Sequence, residues 1–378
     1  LERDKLSVLI DGGRSRAALP RMFQRFTKKE GVDVIVCTHN DADHANGILG
    51  FLDAGLRCDE LWLPGRWLAV LPDLLRPFVE VIRELADNIS ATDGAENVEE
   101  LASIEAYAER MYDSLAGARM TEEAPSTGEY GWPDSYLQML EESQSWENLQ
   151  DRLVPWGPEA MHFWALRYWR LRHAEVQLLW SAVDAAGRIR AIATEAFHRG
   201  IPVRWFEFNT ASPAGGNCGL IPLNAREVIG VRPRLSPLLW RLALTVSNKQ
   251  SLVFWSPATE HQPGVLFTAD SDLASIQLPP QLHGAIATAP HHGSDANAQA
   301  YQNVVTALNG SPAITWVRSD GCYRSRPGSS YLGLPAANRI CTICRLTMRS
   351  WTTKQPVRLH SKSGVWTRNG ATCLCKCR

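Results

Sequence analysis

Short apolar runs alternate with longer amphipathic stretches at the start of the chain. Leu6-Ser-Val-Leu-Ile10, closed by Asp11-Gly12-Gly13, reads as a buried strand over 6–13 that ends in a glycine turn. From 17 to 29 the period lengthens. Leu19, Met22, Phe23 and Phe26 fall at i, i+3, i+4 and i+7, the spacing of one helix face. Residues 32–37 form a second apolar run, Asn46 to Leu52 opens a helix behind it, and 59–63 reads as a third short strand.

The pattern then changes. From about 66 to 200 the chain is helix-like and rich in tryptophan: Trp67, Trp132, Trp146, Trp156, Trp164, Trp169 and Trp180. The strongest helical stretch covers 158–198, with a break expected near Gly187. Its aromatic positions read as core rather than as a base-stacking surface. Strand signals return at 202–208, 241–246, 251–255, 265–268, 284–289 and 312–318. The expected organisation is an α/β domain built from 1–65 and 200–320, a helical insertion over 66–199, and a C-terminal segment over 321–378.

Composition narrows the class. The chain has 378 residues, 45% hydrophobic and 21% charged, which suits a globular protein. No apolar run of about 18 residues suggests a membrane span, and the first residues lack the apolar core of a signal peptide. A cytoplasmic location and no membrane partner are therefore expected. Charge is unevenly spread. Residues 91–145 hold thirteen acids and two bases, whereas 315–378 hold twelve bases and one acid, Asp320. The basic segment fits either a phosphate track or a solvated surface, and the acidic segment could dock on it. Five of the nine cysteines lie in the last 38 residues. Cys341-x-x-Cys344 with Cys373-x-Cys375-x-Cys377 fits a structural Zn²⁺ site or a set of free thiols, with disulfides third because nothing marks secretion.

The chemistry concentrates after the second strand, in Thr38-His-Asn-Asp-Ala-Asp-His44. Two histidines and two aspartates in six residues at a strand end are explained by metal binding better than by packing. Carboxylates mixed with imidazoles suit one or two ions of Zn²⁺ or Mn²⁺. Leu266 to Asp270 and Pro290-His-His-Gly-Ser294 follow other apolar runs and add ligands of the same kinds. Strand ends are where an αβ scaffold assembles a site from its loops.

His39-x-Asp41-x-Asp43-His44 resembles the His-x-His-x-Asp-His signature of the metallo-β-lactamase superfamily, with Asp41 replacing the second His. With Pro290 to Ser294 it is similar to the ComEC-like metallo-hydrolase subgroup. Val8 to Gly13, Asn248 to Val253 and Leu266 to Asp270 resemble that family's neighbouring segments. The resemblance covers about 1–65 and 200–320 and implies a four-layer αβ/βα sandwich. It implies that His39 and Asp41 hold one metal, Asp43 and His44 a second, that Asp270 bridges them, and that His291 or His292 completes the set. Asp43 and Asp270 would serve catalysis, and Asp11 would orient the ligand loop. Ser294 would either bind phosphate or cap the next helix, expected over 295–308.

Two departures stand out. The family's Gly before the bridging Asp is Ala269, a modest change unless the backbone there is left-handed. Arg326, in Tyr323-Arg-Ser-Arg326-Pro, stands where the family has a His, and could clamp a phosphate instead. The leading expectation is a phosphodiesterase or nuclease acting on DNA or RNA, as an effector in a bacterial defence system. The alternatives are a hydrolase of a small ester, lactone or β-lactam, and a weakened binding or regulatory module whose helical insertion docks a protein partner.

Overall fold

The computed structural model describes residues 1–3, 6–76, 131–143, 173–229, 250–310, 314–319, 326–342, 357–362 and 365–368. Several expected features lie outside these: most of the helical insertion, the strand at 241–246, Asn248 and Lys249, Tyr323 to Ser325, and Cys344, Cys373, Cys375 and Cys377. The fold is mixed α/β and divides into two compact units. One comprises Leu1–Phe206 with Val228–Ser247, the other Glu207–Glu227 with Asn248–Arg378.

In the first unit, β1 (Glu2–Arg3), β2 (Leu6–Ile10), β3 (Gly31–Val36), β4 (Arg57–Pro64) and β5 (Val203–Phe208) lie in that order. β1 is antiparallel to β2, and β2 through β5 are parallel. Val8 stands opposite Val34, Val36 opposite Trp62 and Leu61 opposite Val203. Crossovers α1 (Ala18–Thr27) and α2 (Ala42–Asp53) join the parallel strands, as parallel pairing requires. α3 (Arg66–Leu74), α4 (Asp134–Glu142) and α5 (His173–His198) are further helices among the described residues. Ile35, Leu61, Leu63, Ile48, Phe51, Leu71, Ile189 and Ile192 form one core, so α3 and the end of α5 are integral to this unit. Arg190, next to Ile189 of that core, donates to the Leu74 and Arg76 carbonyls at the end of α3. A cation there complements the helix dipole.

Two local expectations change. The helix behind β3 starts at Ala42, four residues earlier than its apolar pattern suggests, so Asp43 and His44 lie on its first turn. Asp43 there favours the positive helix end. α5 runs unbroken through Gly187, because burial of Ala186, Ile189, Ile192 and Ala193 outweighs the roughly 1 kcal/mol penalty of one glycine.

In the second unit, β6 (Ile221–Pro222) and β7 (Ala225–Val228) are followed by β8 (Phe254–Ser256), β9 (Val265–Phe267), β10 (Ile286–Thr288), β11 (Thr315–Arg318) and β12 (Arg339–Cys341). The sheet order is β12-β11-β10-β9-β8-β6. β9 to β12 are parallel, and β8 is antiparallel to both of its neighbours. α6 (Ala298–Ala307) and α7 (Ser329–Gly333) pack on it through Tyr301, Val304 and Tyr331. β13 (Leu359–Lys362) and β14 (Val365–Arg368) form a separate hairpin. Among the described residues, no helix is long and apolar enough to cross a membrane.

The turn after β2 meets α2 backbone to backbone. Gly12 N–H donates to the His44 carbonyl at 2.7 Å, and Gly47 N–H to the Gly13 carbonyl at 2.8 Å. A Cβ on Gly47 would sit 1.8 Å from the Gly12 carbonyl oxygen. Gly47→Ala is therefore expected to lower stability by about 3 kcal/mol, the upper range for overpacking. Thermal denaturation checks this, and a variant melting with wild type would show that the contact gives way cheaply.

Asp33 on β3 accepts from the Ser7 hydroxyl and amide at 2.7 and 2.5 Å, and these bonds hold its carboxyl below the usual range. A lowered folded value contributes stability that is complete above about pH 4 and lost as pH falls through the folded value. The stability gap between wild type and Asp33→Asn is expected to be present at pH 7 and to close in that acid range. A gap independent of pH would assign it to packing.

Candidate metal centre

The ligand loop of the first unit leaves β3 at Val36. Its ladder with β2 runs one step further, Asp11 N–H donating to the Val36 carbonyl at 2.9 Å. That step brings the Asp11 carboxylate under the loop. Thr38 donates to it through its amide at 2.9 Å and its hydroxyl at 2.8 Å, and His44 Nδ1 lies 2.7 Å from Oδ2. Burial pushes the Asp11 carboxyl up. The opposing charge and hydrogen bond of His44, with His39 and Thr38 behind them, prevail and hold it below its ordinary value.

This network sets the tautomers. A carboxylate only accepts, so a neutral His44 carries its proton on Nδ1 and its lone pair on Nε2. Thr38 spends its proton on Asp11 and accepts from His39 Nδ1 at 2.9 Å, which also leaves the lone pair of His39 on Nε2. The two rings lie 4.0 Å apart and both residues are 5% exposed. His39 Nε2 is 3.7 Å from Asp41 Oδ2. Asp41 precedes α2 without capping it through its side chain, so its carboxylate is not consumed by the helix end. A buried imidazole backed by a carboxylate is the arrangement that orients metal ligands. Cys37 takes no part. Burial and Asp11 push its thiol well up, and it donates to the His39 carbonyl at 3.1 Å.

In the second unit, Asp270 follows β9 and is 1% exposed, with its amide donating to Ser251 Oγ at 3.0 Å. β9 and β10 are stitched through Thr268 and Thr288, Thr268 Oγ1 donating to the Thr288 carbonyl at 2.8 Å. Ala269 has φ 46°, so the alanine that stands where the resembling family has Gly is left-handed and strained, and the change is more than a modest one. His291, His292 and Gly293 continue with φ of 46°, 55° and 84°. His291 N–H closes this turn on the Ala269 carbonyl at 3.0 Å, and fully buried Arg318 donates from Nε to the His292 carbonyl at 2.8 Å.

The two histidines differ. His291 Nδ1 lies 3.1 Å from Asn297 Oδ1, and Asn297 in turn donates to the Asp270 carbonyl at 2.7 Å. His291 Nε2 is 3.6 Å from Asp270 Oδ2, and it accepts from the Arg326 guanidinium. His292 is 8% exposed and belongs to a ligand-type group. Ser294 accepts from Ala296 N–H at 3.2 Å and caps the turn of 3-10 helix Asp295–Asn297 that precedes α6. Asp295 accepts from the Ser329 and Ser330 amides, both at 2.8 Å, at the start of α7. Cys341 lies buried in β12 with Arg318 Nη1 donating to its sulfur at 3.3 Å. Among the described residues no group of metal-ligating side chains includes it.

The donor chemistry fits a divalent ion. Buried candidate donors lie in both units: His39 and His44 in the first, Asp270 and His292 in the second. Thr38, Asn297 and Arg318 were not singled out from sequence. Thr38 is inside the motif and Asn297 follows the His pair, but nothing marks Arg318 beyond its place at a strand end. Comparison of the chain with family models, curated proteins and solved structures finds no match.

Asp11→Ala is expected to weaken Zn²⁺ or Mn²⁺ binding by about 10- to 100-fold, as for other partners that orient metal ligands. Chelator competition measures this, and unchanged affinity would reduce Asp11 to a packing role. Ala269→Gly is expected to raise stability by about 0.5–1 kcal/mol, since relief of left-handed strain exceeds the added chain entropy. A lower melting temperature would contradict it.

Proposed function

We propose that this protein is a metal-dependent phosphodiesterase acting on DNA or RNA, built on a metallo-β-lactamase-like scaffold. The observation that carries the metal part is the buried His39–His44 pair, with both tautomers set by the Asp11–Thr38 network. The motif resemblance carries the hydrolase part. It also implies shared chemistry for His39, Asp41, Asp43, His44 and Asp270, with His291 or His292 completing the set.

In this reading the ion, Zn²⁺ or Mn²⁺, supplies Lewis acidity and a water of lowered pKa. The chain's own residues do the rest. His39 and His44 bind through Nε2. Asp41, Asp43 and Asp270 add carboxylate charge, and Asp43 is placed by the first turn of α2 to hold or accept a proton. Asp11 keeps His44 in the required tautomer.

A second reading is favoured by one contact. The Arg326 guanidinium donates to His291 Nε2, so this histidine is held by a cation rather than presented to an ion. That supports a reduced centre with fewer ligands, or a binding module.

The decisive experiment combines metal analysis with a cleavage screen on wild type, Asp43→Ala and His44→Ala. One or two ions per chain are expected, falling in both variants, with Zn²⁺- or Mn²⁺-dependent cleavage of DNA, RNA or a generic phosphodiester. Asp43→Ala is expected to reduce that cleavage at least 100-fold, as for loss of an acid–base group. Bound metal with no cleavage above the variant would move the assignment to the reduced centre. Turnover of a chromogenic ester, lactone or β-lactam alone would move it to small substrates.

A further inference from the structure

Helix α5 reaches the ligand loop through one side chain. Arg188 Nε donates to the Asn40 carbonyl at 2.6 Å, across 148 positions of sequence. Asn40 is buried and lies between His39 and Asp41. One hydrogen bond therefore pins the peptide that separates two candidate ligands.

The donor stands on a rigid platform. Ala185, Ala186, Ile189 and Ile192 bury the same stretch of α5, and Arg190 ties it to the end of α3. The Arg188 side chain is 15% exposed. Burial lowers its pKa, while the charges of Asp184, Asp41 and Asp43 oppose that shift. Taking a guanidinium this far out of water is costly unless its donors and charge are used. Its Nη1 reaches Asp184 only at 4.0 Å, and the Asp184 side chain is 70% exposed, so that pair offsets little. The short bond to the loop carbonyl puts one of its donors to use.

We propose that Arg188 is a positioning residue for the metal centre: its Nε donor holds the 38–44 loop in the conformation that presents His39 and Asp41. This rests on the metal-centre reading above and assigns the end of the helical segment a share in that centre. Arg188 has two separable properties, the donor and the charge. Glutamine carries its Nε2 the same number of bonds from Cα as arginine carries Nε, so Arg188→Gln keeps the donor and removes the charge. Arg188→Met keeps similar length and removes both.

The test measures Zn²⁺ affinity by chelator competition, and amide exchange of residues 38–44 in the metal-free protein, for wild type and both variants. Melting temperatures verify folding. Arg188→Met is expected to lose at least about tenfold in affinity and to exchange faster in the loop, while Arg188→Gln stays within about threefold of wild type. Equal behaviour of the two variants, or tighter binding in both, would overturn the proposal, because charge alone would then matter. If Arg188→Met fails to fold, Arg188→Gln decides: a tenfold loss contradicts a donor role and retention supports it. If wild type binds no Zn²⁺ that responds to His44→Ala, the metal-centre reading fails. Loop exchange then still shows whether Arg188 holds the loop.

Discussion

The contact between Gly12 and Gly47 sets the geometry on which the first unit's site depends. A strand-end turn and a helix start approach so closely that neither position has room for a Cβ. Two backbone hydrogen bonds, at 2.7 and 2.8 Å, lock the approach. Because Asp11 precedes this turn and His44 lies on the facing helical turn, their side chains meet at 2.7 Å without relying on a flexible loop. Asp11 then gathers Thr38, and Thr38 gathers His39. A carboxylate withdrawn from water is expensive unless satisfied, and here it accepts from the groups that need orientation. Packing, charge and tautomer are therefore settled by one backbone contact.

The second unit reaches a comparable result by other means. Its residues leave the ends of two neighbouring parallel strands, β9 and β10, and each strand end turns through left-handed backbone. The hydrogen bond from His291 N–H to the Ala269 carbonyl joins the two turns, and Arg318 supports the His292 carbonyl from beneath. The cost is visible at Ala269, His291 and His292, which adopt φ values that L-residues seldom hold. Left-handed non-glycine residues clustered in one turn fit a segment whose surroundings over-determine it. The first unit combines glycines that permit close approach with a left-handed residue, Asp11 at φ 55°, whereas the second strings several such residues together and sustains them by hydrogen bonds.

Much of this was readable from residue pattern. The strands carrying the ligand blocks lie close to their apolar runs, since parallel strands buried on both faces read as short continuous hydrophobic segments. Asp11 was expected to orient the loop, and it does contact His44. The residues missed share a physical reason: their role comes from tertiary placement rather than local spacing. Arg188 acts 148 positions away from Asn40, and Arg318 works through its Nε on a backbone carbonyl that no motif marks. The early start of α2 was missed because its first turn is polar, Ala-Asp-His, and shows no apolar period. The capping role of Ser294 was one of two open alternatives, and the hydrogen bond to Ala296 supports it.

Cations beside the candidate ligands bear on how an ion would be held. In the first unit Arg188 lies near Asp41 and Asp43, and its charge offsets theirs. In the second, Arg326 donates to His291, whose Nε2 is also close to Asp270. Carboxylates compensated in this way do not depend on a metal to keep the fold from repelling itself. In this they differ from small structural zinc sites, whose folding is bound to the ion. Local compensation also weakens the purely electrostatic pull on a divalent cation. Affinity must then come from directed donors, the Nε2 lone pairs of His39 and His44 above all, and these depend on the Asp11–Thr38 network. The same backbone contact that sets the fold of the first unit thereby governs whether an ion is bound there at all.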